Sequence, residues 1–260
     1  MKRLSTILMS LILSGALLFS GCQSSTDDTD DNDDSTAKIQ VTVVTDATWP
    51  PFEYVNEQTH AIEGFDIDLM KAIAEKGNLE VTFQNVAWDA LLAGLATGQY
   101  KVAISSITIN AERAEKWLFS DPYFNAGQMV CVQKNNTTIL SHNDLTGKKV
   151  AAQTGTTGFI EAQKIEGATV KSYDEIGLAF QDLMNGQIDA VICDTPVAID
   201  YVNANIDKIK KVGTAFTDEF YGISVAKGQT EILARINQGL AAVIADGTFD
   251  QLVAKWNLNP

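Results

Sequence analysis

Residues 81–105 read VTFQNVAWDALLAGLATGQYKVAIS, and this stretch sets the fold class. Residues 81–83 are a β-branched and aromatic run that suits a pleated strand. Trp88-Asp89 then opens a helix. Leu91, Leu92 and Leu95 fall on one helical face, and Gly98 stands where the helix should stop. Residues 101–105 return to strand. A strand, a helix and a strand in so short a span predict two parallel strands joined by a helical crossover.

Outward from this unit the pattern repeats. Residues 38–45, KIQVTVVT, alternate as a first strand, and Pro50-Pro51 turns the chain into a loop. Residues 64–78 place Ile67, Met70, Ile73 and Ala74 on one helical face, with Gly77 at the position that favours a left-handed C-terminal residue. Downstream, strands are expected at 129–133, 149–153, 169–173 and 190–194, separated by helices. Residues 174–185 set Ile176, Phe180, Leu183 and Met184 on one stripe before Gly186. Thr195-Pro196 predicts a helix start with Thr195 as its cap. A strand at 222–227 and helices at 230–246 and 249–256 close the chain. The whole predicts an α/β protein of two lobes, each a mostly parallel sheet flanked by helices.

Composition narrows the function. Across 260 residues, 19 Lys and Arg face 33 Asp and Glu, and the net charge of −14 speaks against a nucleic-acid partner. With 45% hydrophobic and 20% charged residues the chain has the makeup of a globular protein, which excludes disorder throughout. Three cysteines and two histidines make a disulfide scaffold or a zinc site a poor expectation, so neither metal nor cofactor is expected. His60 and His142 lie in polar stretches and are expected in solvent. Cys131 and Cys193 lie in apolar strands and are expected as buried thiols unless their Cα atoms come within about 7 Å.

The first residues read as an address. Met1-Lys2-Arg3 is basic, residues 4–19 are almost wholly apolar, and Ser20-Gly21-Cys22 follow. The apolar run is shorter than the roughly 20 residues that cross a bilayer, so residues 1–21 are expected to be a signal peptide. Residues 18–22, LFSGC, resemble a bacterial lipobox, with Phe19 where that pattern more often has Leu. The resemblance implies a lipid on Cys22 and a protein anchored outside the cytoplasm, on the outer face of the cytoplasmic membrane or in a periplasm. Residues 22–37 contain six Asp in the run QSSTDDTDDNDDST, without an apolar residue, and are expected to be an extended acidic tether. The spacing of an EF-hand calcium loop is absent from this run.

Ligands of open α/β sheets bind beyond the carboxyl ends of the strands, which selects loops 46–52, 87–89, 105–113, 154–158 and 193–195. Arg113, in the first turn of a helix capped by Asn110, opposes the helix dipole and calls for an acidic partner. A ligand carboxylate suits its bidentate fork, and a surface ion pair with Glu112 or Glu115 is the alternative. Ser106 and Thr108 read either as loop hydroxyls or as donors to that carboxylate. Residues 153–158, QTGTTG, lack the glycine patterns of nucleotide loops but offer backbone amides to an anion. Asp194, at the end of an apolar strand, suits an α-ammonium group, with helix capping as the alternative. Trp49 and Trp88 suit stacking on a ligand side chain, and burial in the core is the plainer reading of each.

Several motifs together carry a family resemblance. These are GFDIDL at 64–69, ITI at 107–109 with Glu112-Arg113, FSDPYF at 119–124, GTT at 155–157, DAV at 189–191 with Asp194, and YGI at 221–223 through Lys255-Trp256. In this order, from about residue 38 to residue 256, they resemble the polar amino acid family of bacterial solute-binding proteins, the substrate receptors of ABC importers. The resemblance implies a two-lobed, type II periplasmic-binding-protein-like clamp. Lobe one would hold 38–123 plus 222–260, lobe two 128–217, and the crossover hinges 124–127 and 218–221. It implies that Arg113 grips the ligand α-carboxylate with Thr108, Thr156 and Thr157, and that Asp194 and Ser106 hold the α-ammonium. Trp49 and Trp88 would flank the side chain and Asp46 would meet its far end. Gln153 and Cys193 stand at variable pocket positions, and Asn110 replaces the usual Thr of the motif. The implied partners of this monomer are a free amino acid, with a basic one or glutamine favoured, and an ABC permease. The fold also resembles periplasmic cyclohexadienyl-dehydratase-like enzymes, so an enzyme acting on a cyclic carboxylate is the main alternative. A sensor domain is a third reading.

Overall fold

The structure, a computed structural model, describes residues 37–258. The expected signal peptide at 1–21, Cys22, and all but the last residue of the acidic tether lie outside the described residues.

Two five-stranded sheets organise the described chain. The first runs Leu79–Asn85, Ile39–Thr45, Val102–Ala103, Ser224–Val225, Leu118–Phe119. The second runs Thr169–Tyr173, Lys149–Gln153, Ala190–Asp194, Gln128–Gln133, Ile209–Val212. In each, the first three strands are mutually parallel, as the strand and helix alternation predicts. The fourth is antiparallel to both of its neighbours. Both reversed strands are those that follow a crossing between the sheets. The two crossings pair with each other as an antiparallel ribbon, Phe124–Asn125 against Phe220–Tyr221.

Several elements go beyond the sequence expectation. Ile209–Val212 carries Lys210 and Lys211 between its apolar ends and does not read as an interior strand, yet it forms the edge of the second sheet. Thr48–Trp49, Glu53–Val55 and Ile62–Glu63 make a small antiparallel sheet across what Pro50-Pro51 marks as loop. The strands at 101–105 and 222–227 shrink to Val102–Ala103 and Ser224–Val225.

The helical stripes hold. Phe65–Lys76 buries Ile67, Met70, Ile73 and Ala74, and Ile176–Met184 buries Ile176, Phe180 and Leu183, with Met184 half-buried. Trp88–Thr97 buries Leu91 and Leu95, leaves Leu92 half-buried, and ends at Gly98 in the left-handed conformation. Gly77 differs from expectation. Its φ is −88°, and Asn78 takes the left-handed turn instead, with φ 53°. Close approach explains the glycine: a Cβ on Gly77 would lie 2.4 Å from the Arg235 carbonyl oxygen, and one on Gly239 2.3 Å from that of Ile73. Helices Phe65–Lys76 and Thr230–Ala245 therefore meet through reciprocal glycines.

An aromatic cluster ties the ribbon to the first sheet. Phe52 lies edge-on to Phe65, Phe124 and Tyr221, with ring centroids 5.7, 5.2 and 5.3 Å away. Such pairs contribute about 1 kcal/mol each beyond their burial. Cys131 and Cys193 are buried free thiols, and burial pushes the Cys131 thiol up to about 12. His60 and His142 are exposed, as expected, although His142 stacks on Phe216 at 4.5 Å.

Candidate ligand-binding site

The carboxyl ends of the parallel strands in the two sheets face one another, and a pocket of about 310 Å³, its mouth included, lies between them. The first sheet and its loops contribute Asp46, Trp49, Trp88, Ser106, Thr108 and Arg113 to its lining. The second contributes Gln153, Thr156, Thr157 and Asp194. All ten positions expected from sequence thus share one pocket, and Glu53 and Ser105 join them.

Arg113 is buried, with 7% of its surface exposed. Asn110 Oδ1 accepts from the Arg113 backbone N–H at 2.9 Å and so caps the short helix Ala111–Ala114, as expected. Arg113 Nη1 donates to the Thr108 carbonyl at 2.9 Å, and Nη2 reaches across to the Gly155 carbonyl at 3.1 Å. The guanidinium carbon stands 5.5 Å from the Trp88 ring, within cation-π range. The alternative of a surface ion pair is not realised: Glu112 pairs with Lys116 at 2.7 Å, and among the described residues no carboxylate comes within ion-pair distance of Arg113. Burial lowers its pKa, but a guanidinium stays charged.

Carboxyl groups gather on the other side of the balance. Asp194 accepts from Tyr221 Oη at 2.5 Å and from Gln128 Nε2, and burial pushes it up to about 7. Asp46 accepts from Thr48 Oγ1 at 3.0 Å and from Gln153 Nε2 at 3.1 Å, and burial raises it to about 6. Glu53 is fully buried and held well above the usual carboxylate range, first by burial and then by the charge of Asp66. Asp66 itself is raised to about 6 by burial, against the pull of the Ser106 N–H and Tyr123 Oη. Buried carboxyls without a cation pay for desolvation through raised pKa values, and they gain most from a positively charged guest. Gln153 Oε1 is a buried acceptor without a hydrogen-bond partner, which adds an acceptor beside Asp46.

The hydroxyls are committed in ways that the sequence does not reveal. Thr156 Oγ1 donates to the Gln153 carbonyl at 2.7 Å and accepts from Phe159 N, capping helix Thr157–Gln163. Thr157 Oγ1 donates to Glu219 Oε2 at 2.6 Å, and Thr108 Oγ1 donates to the same oxygen at 3.1 Å. Ser106 holds a left-handed backbone, φ 49°, that turns its N–H to Asp66 at 2.9 Å and its hydroxyl toward Glu53 at 3.4 Å. Thr195 does not cap its helix. The helix begins at Thr195 itself, and its hydroxyl donates to the Gly127 carbonyl at 2.5 Å. Cys193 is buried on the strand face opposite to Asp194 and does not line the pocket.

Glu53, Gln128, Glu219 and Tyr221 are the site residues that sequence reasoning missed, and Ser105 opened a selected loop without an assigned role. Glu53 follows Phe52 in the small sheet that the prolines conceal, and Ser105 Oγ accepts from the Asp46 N–H at 2.9 Å. The other three sit on or beside the paired crossings, where no periodicity marks them.

Two sheets of one strand order, joined by a paired double crossing with a charged pocket between them, define the type II periplasmic-binding-protein fold. The chain belongs to family 3 of the bacterial extracellular solute-binding proteins, whose pattern matches residues 41–259. The ABC transporter arginine-binding protein 1 of Escherichia coli K12 is 36% identical over 220 residues, covering 81% of this chain and 87% of its own length. The L-cystine-binding protein TcyJ of the same strain is 33% identical over 214 residues, covering 81% and 80%. An ancestral arginine-binding protein bound to arginine superposes with a TM-score of 0.80 at 42% identity, covering 84% of this chain and 97% of that one.

Proposed function

We propose that this chain captures a polar amino acid, a basic one or glutamine, by closing its two lobes, and delivers it to the permease of an ABC importer. The observation that carries this is the charge pattern of one pocket. Among the described residues, a buried arginine with no carboxylate at ion-pair distance stands in the same cleft as buried carboxyls with no cation at that distance. A zwitterion complements both. Arg113 takes the α-carboxylate in a bidentate fork, and Asp194 takes the α-ammonium with acceptor capacity left over from Tyr221 and Gln128. Asp46 and the unpartnered Gln153 Oε1 receive donors at the far end of the side chain, which guanidinium, ammonium and amide groups supply. Trp49 and Trp88 cover its apolar length. Both E. coli relatives named above are amino-acid-binding proteins, and one is assigned by name to an ABC transporter.

The ribbon of Phe124–Asn125 and Phe220–Tyr221 serves as the hinge, and ligand binding favours the closed state by its greater affinity for it. The protein works as a monomer outside the cytoplasm, tethered by a lipid on Cys22 and held off the membrane by its acidic segment. Among the described residues no helix is long and apolar enough to cross a membrane.

The test is the melting temperature of ligand-stripped protein with each amino acid at millimolar concentration. Ligand at a thousand times its Kd adds about 4 kcal/mol. A large shift with Arg, Lys, His or Gln is the expected result. Silence from every amino acid, with turnover of a cyclic carboxylate, would replace this proposal with the dehydratase alternative.

A further inference from the structure

Glu219 stands just before the ribbon strand Phe220–Tyr221, and its carboxylate reaches both lobes at once. Its Oε2 accepts from Thr157 Oγ1 at 2.6 Å and Gln128 Nε2 at 3.4 Å on the second lobe, and from Thr108 Oγ1 at 3.1 Å on the first. Its Oε1 accepts from Thr217 Oγ1 at 2.8 Å. Among the described residues, no lysine or arginine lies within ion-pair distance of it. The group is half-buried, and a carboxylate is an acceptor only.

Each threonine hydroxyl has one proton to give. Thr157 Oγ1 accepts from Gln128 Nε2 at 3.1 Å and donates its own hydrogen to Glu219 Oε2, and Thr108 Oγ1 donates to the same oxygen from the opposite lobe. The two hydroxyl oxygens are 3.3 Å apart, so one carboxylate oxygen clasps residues from both sides of the cleft. Hydrogen bonds to an ionised acceptor are about twice as strong as neutral ones.

We propose that Glu219 is a latch: a positioning residue carried by the crossover that holds the lobes closed by gripping Thr108 and Thr157 together. By using both threonine protons it presents these two side chains to the pocket as acceptors, and leaves the ligand carboxylate to Arg113. This rests on the pocket being an amino acid site, but the clasp itself is built without a ligand.

The full chain tests it with one spin label on each lobe, at Gln58→Cys and Asn143→Cys, both exposed. Glu219→Gln keeps the shape and removes the charge. It is expected to move the ligand-free distance distribution toward longer separations and to raise the off-rate of a bound amino acid about tenfold. Glu80→Gln makes the same charge change on an exposed carboxylate of the edge strand Leu79–Asn85, outside the crossings, and is expected to match wild type in both readouts. Glu219→Asp, which retains the charge on a shorter arm, is expected to fall between the two. Distances and off-rate within twofold of wild type in Glu219→Gln would overturn the latch, as would equal effects from Glu80→Gln. If wild type binds no amino acid yet Glu219→Gln still opens the lobes, the latch stands and the proposed ligand falls.

Discussion

Gln153 Nε2 donates to Asp46 Oδ2 at 3.1 Å, so the strand end of one sheet is bonded to that of the other across the pocket. The same amide donates to the Asp174 carbonyl at 2.9 Å, which fixes its orientation and leaves Oε1 facing inward without a partner. An ionised Asp46 beside a lone carbonyl is an environment that discriminates by ligand charge.

Asp46→Asn is therefore expected to weaken arginine or lysine binding by about tenfold or more while changing glutamine binding by no more than about threefold. Calorimetric titration with each ligand measures the two ratios. Equal losses for charged and neutral ligands would remove Asp46 as the reader of the side chain.

Arg113→Ala leaves the ligand carboxylate buried without its cation. The loss is on the order of 3 kcal/mol, more than a hundredfold in Kd, with the fold retained. Arg113→Lys keeps the charge but not the planar fork that also donates to Thr108 and Gly155, and should restore only part of the affinity. Affinity that survives Arg113→Ala unchanged would show that the carboxylate binds elsewhere.

Acidity should stabilise the empty protein and weaken the complex. Burial raises Asp46 and Asp66 to about 6 and Asp194 to about 7, from 3.8. Raised carboxyls bind protons in the folded state that the unfolded chain has released. Their contribution is complete below about pH 4 and is lost as pH climbs through 6 to 7. Asp246, lowered to about 2, acts in the opposite sense but only below that window. The ligand-free melting temperature at pH 5 should exceed that at pH 8 by about 5 °C, whereas the shift produced by a basic amino acid should shrink at pH 5. A ligand-free protein that melts lower at pH 5 contradicts this assignment.

Gly239→Ala pushes a methyl against the Ile73 carbonyl, where its Cβ would lie at 2.3 Å. Overpacking of this kind costs about 1–3 kcal/mol and should lower the melting temperature by about 3–10 °C. The relative affinities for different amino acids should be unchanged, because the helix pair lies away from the pocket. Thermal denaturation and a ligand panel read both effects.

The parallel units and the helical stripes were legible because each leaves a local mark, whereas the ten pocket positions were assembled from loops at strand exits together with the family resemblance, which alone gave Asp46 and Gln153 a role in the pocket. Ile176, Phe180 and Leu183 recur with the helical period, and Arg113 sits where a helix dipole disfavours it. What escaped has no local mark. Glu219 looks like any surface acid until Thr108, 111 positions away in sequence, is brought to it. Gly77 carries the right residue for an unexpected reason, since the chain that crowds it belongs to a helix far downstream. Thr195 has the signature of a cap, but its backbone is already the first of the helix and Asp194 takes the cap position.

The placement of Ser224–Val225 between Val102–Ala103 and Leu118–Phe119 also bears on how the chain emerges from the ribosome. The second sheet uses only residues between 128 and 212 and has every strand available once that segment is made. The first sheet, begun earlier, stays split until residues 224–225 arrive to bridge its halves, and helix Phe65–Lys76 stays uncovered until Thr230–Ala245 follows. The half of the protein synthesised second is thus the half that can finish first, and a chain stalled near residue 215 would carry one complete sheet and one with an open seam.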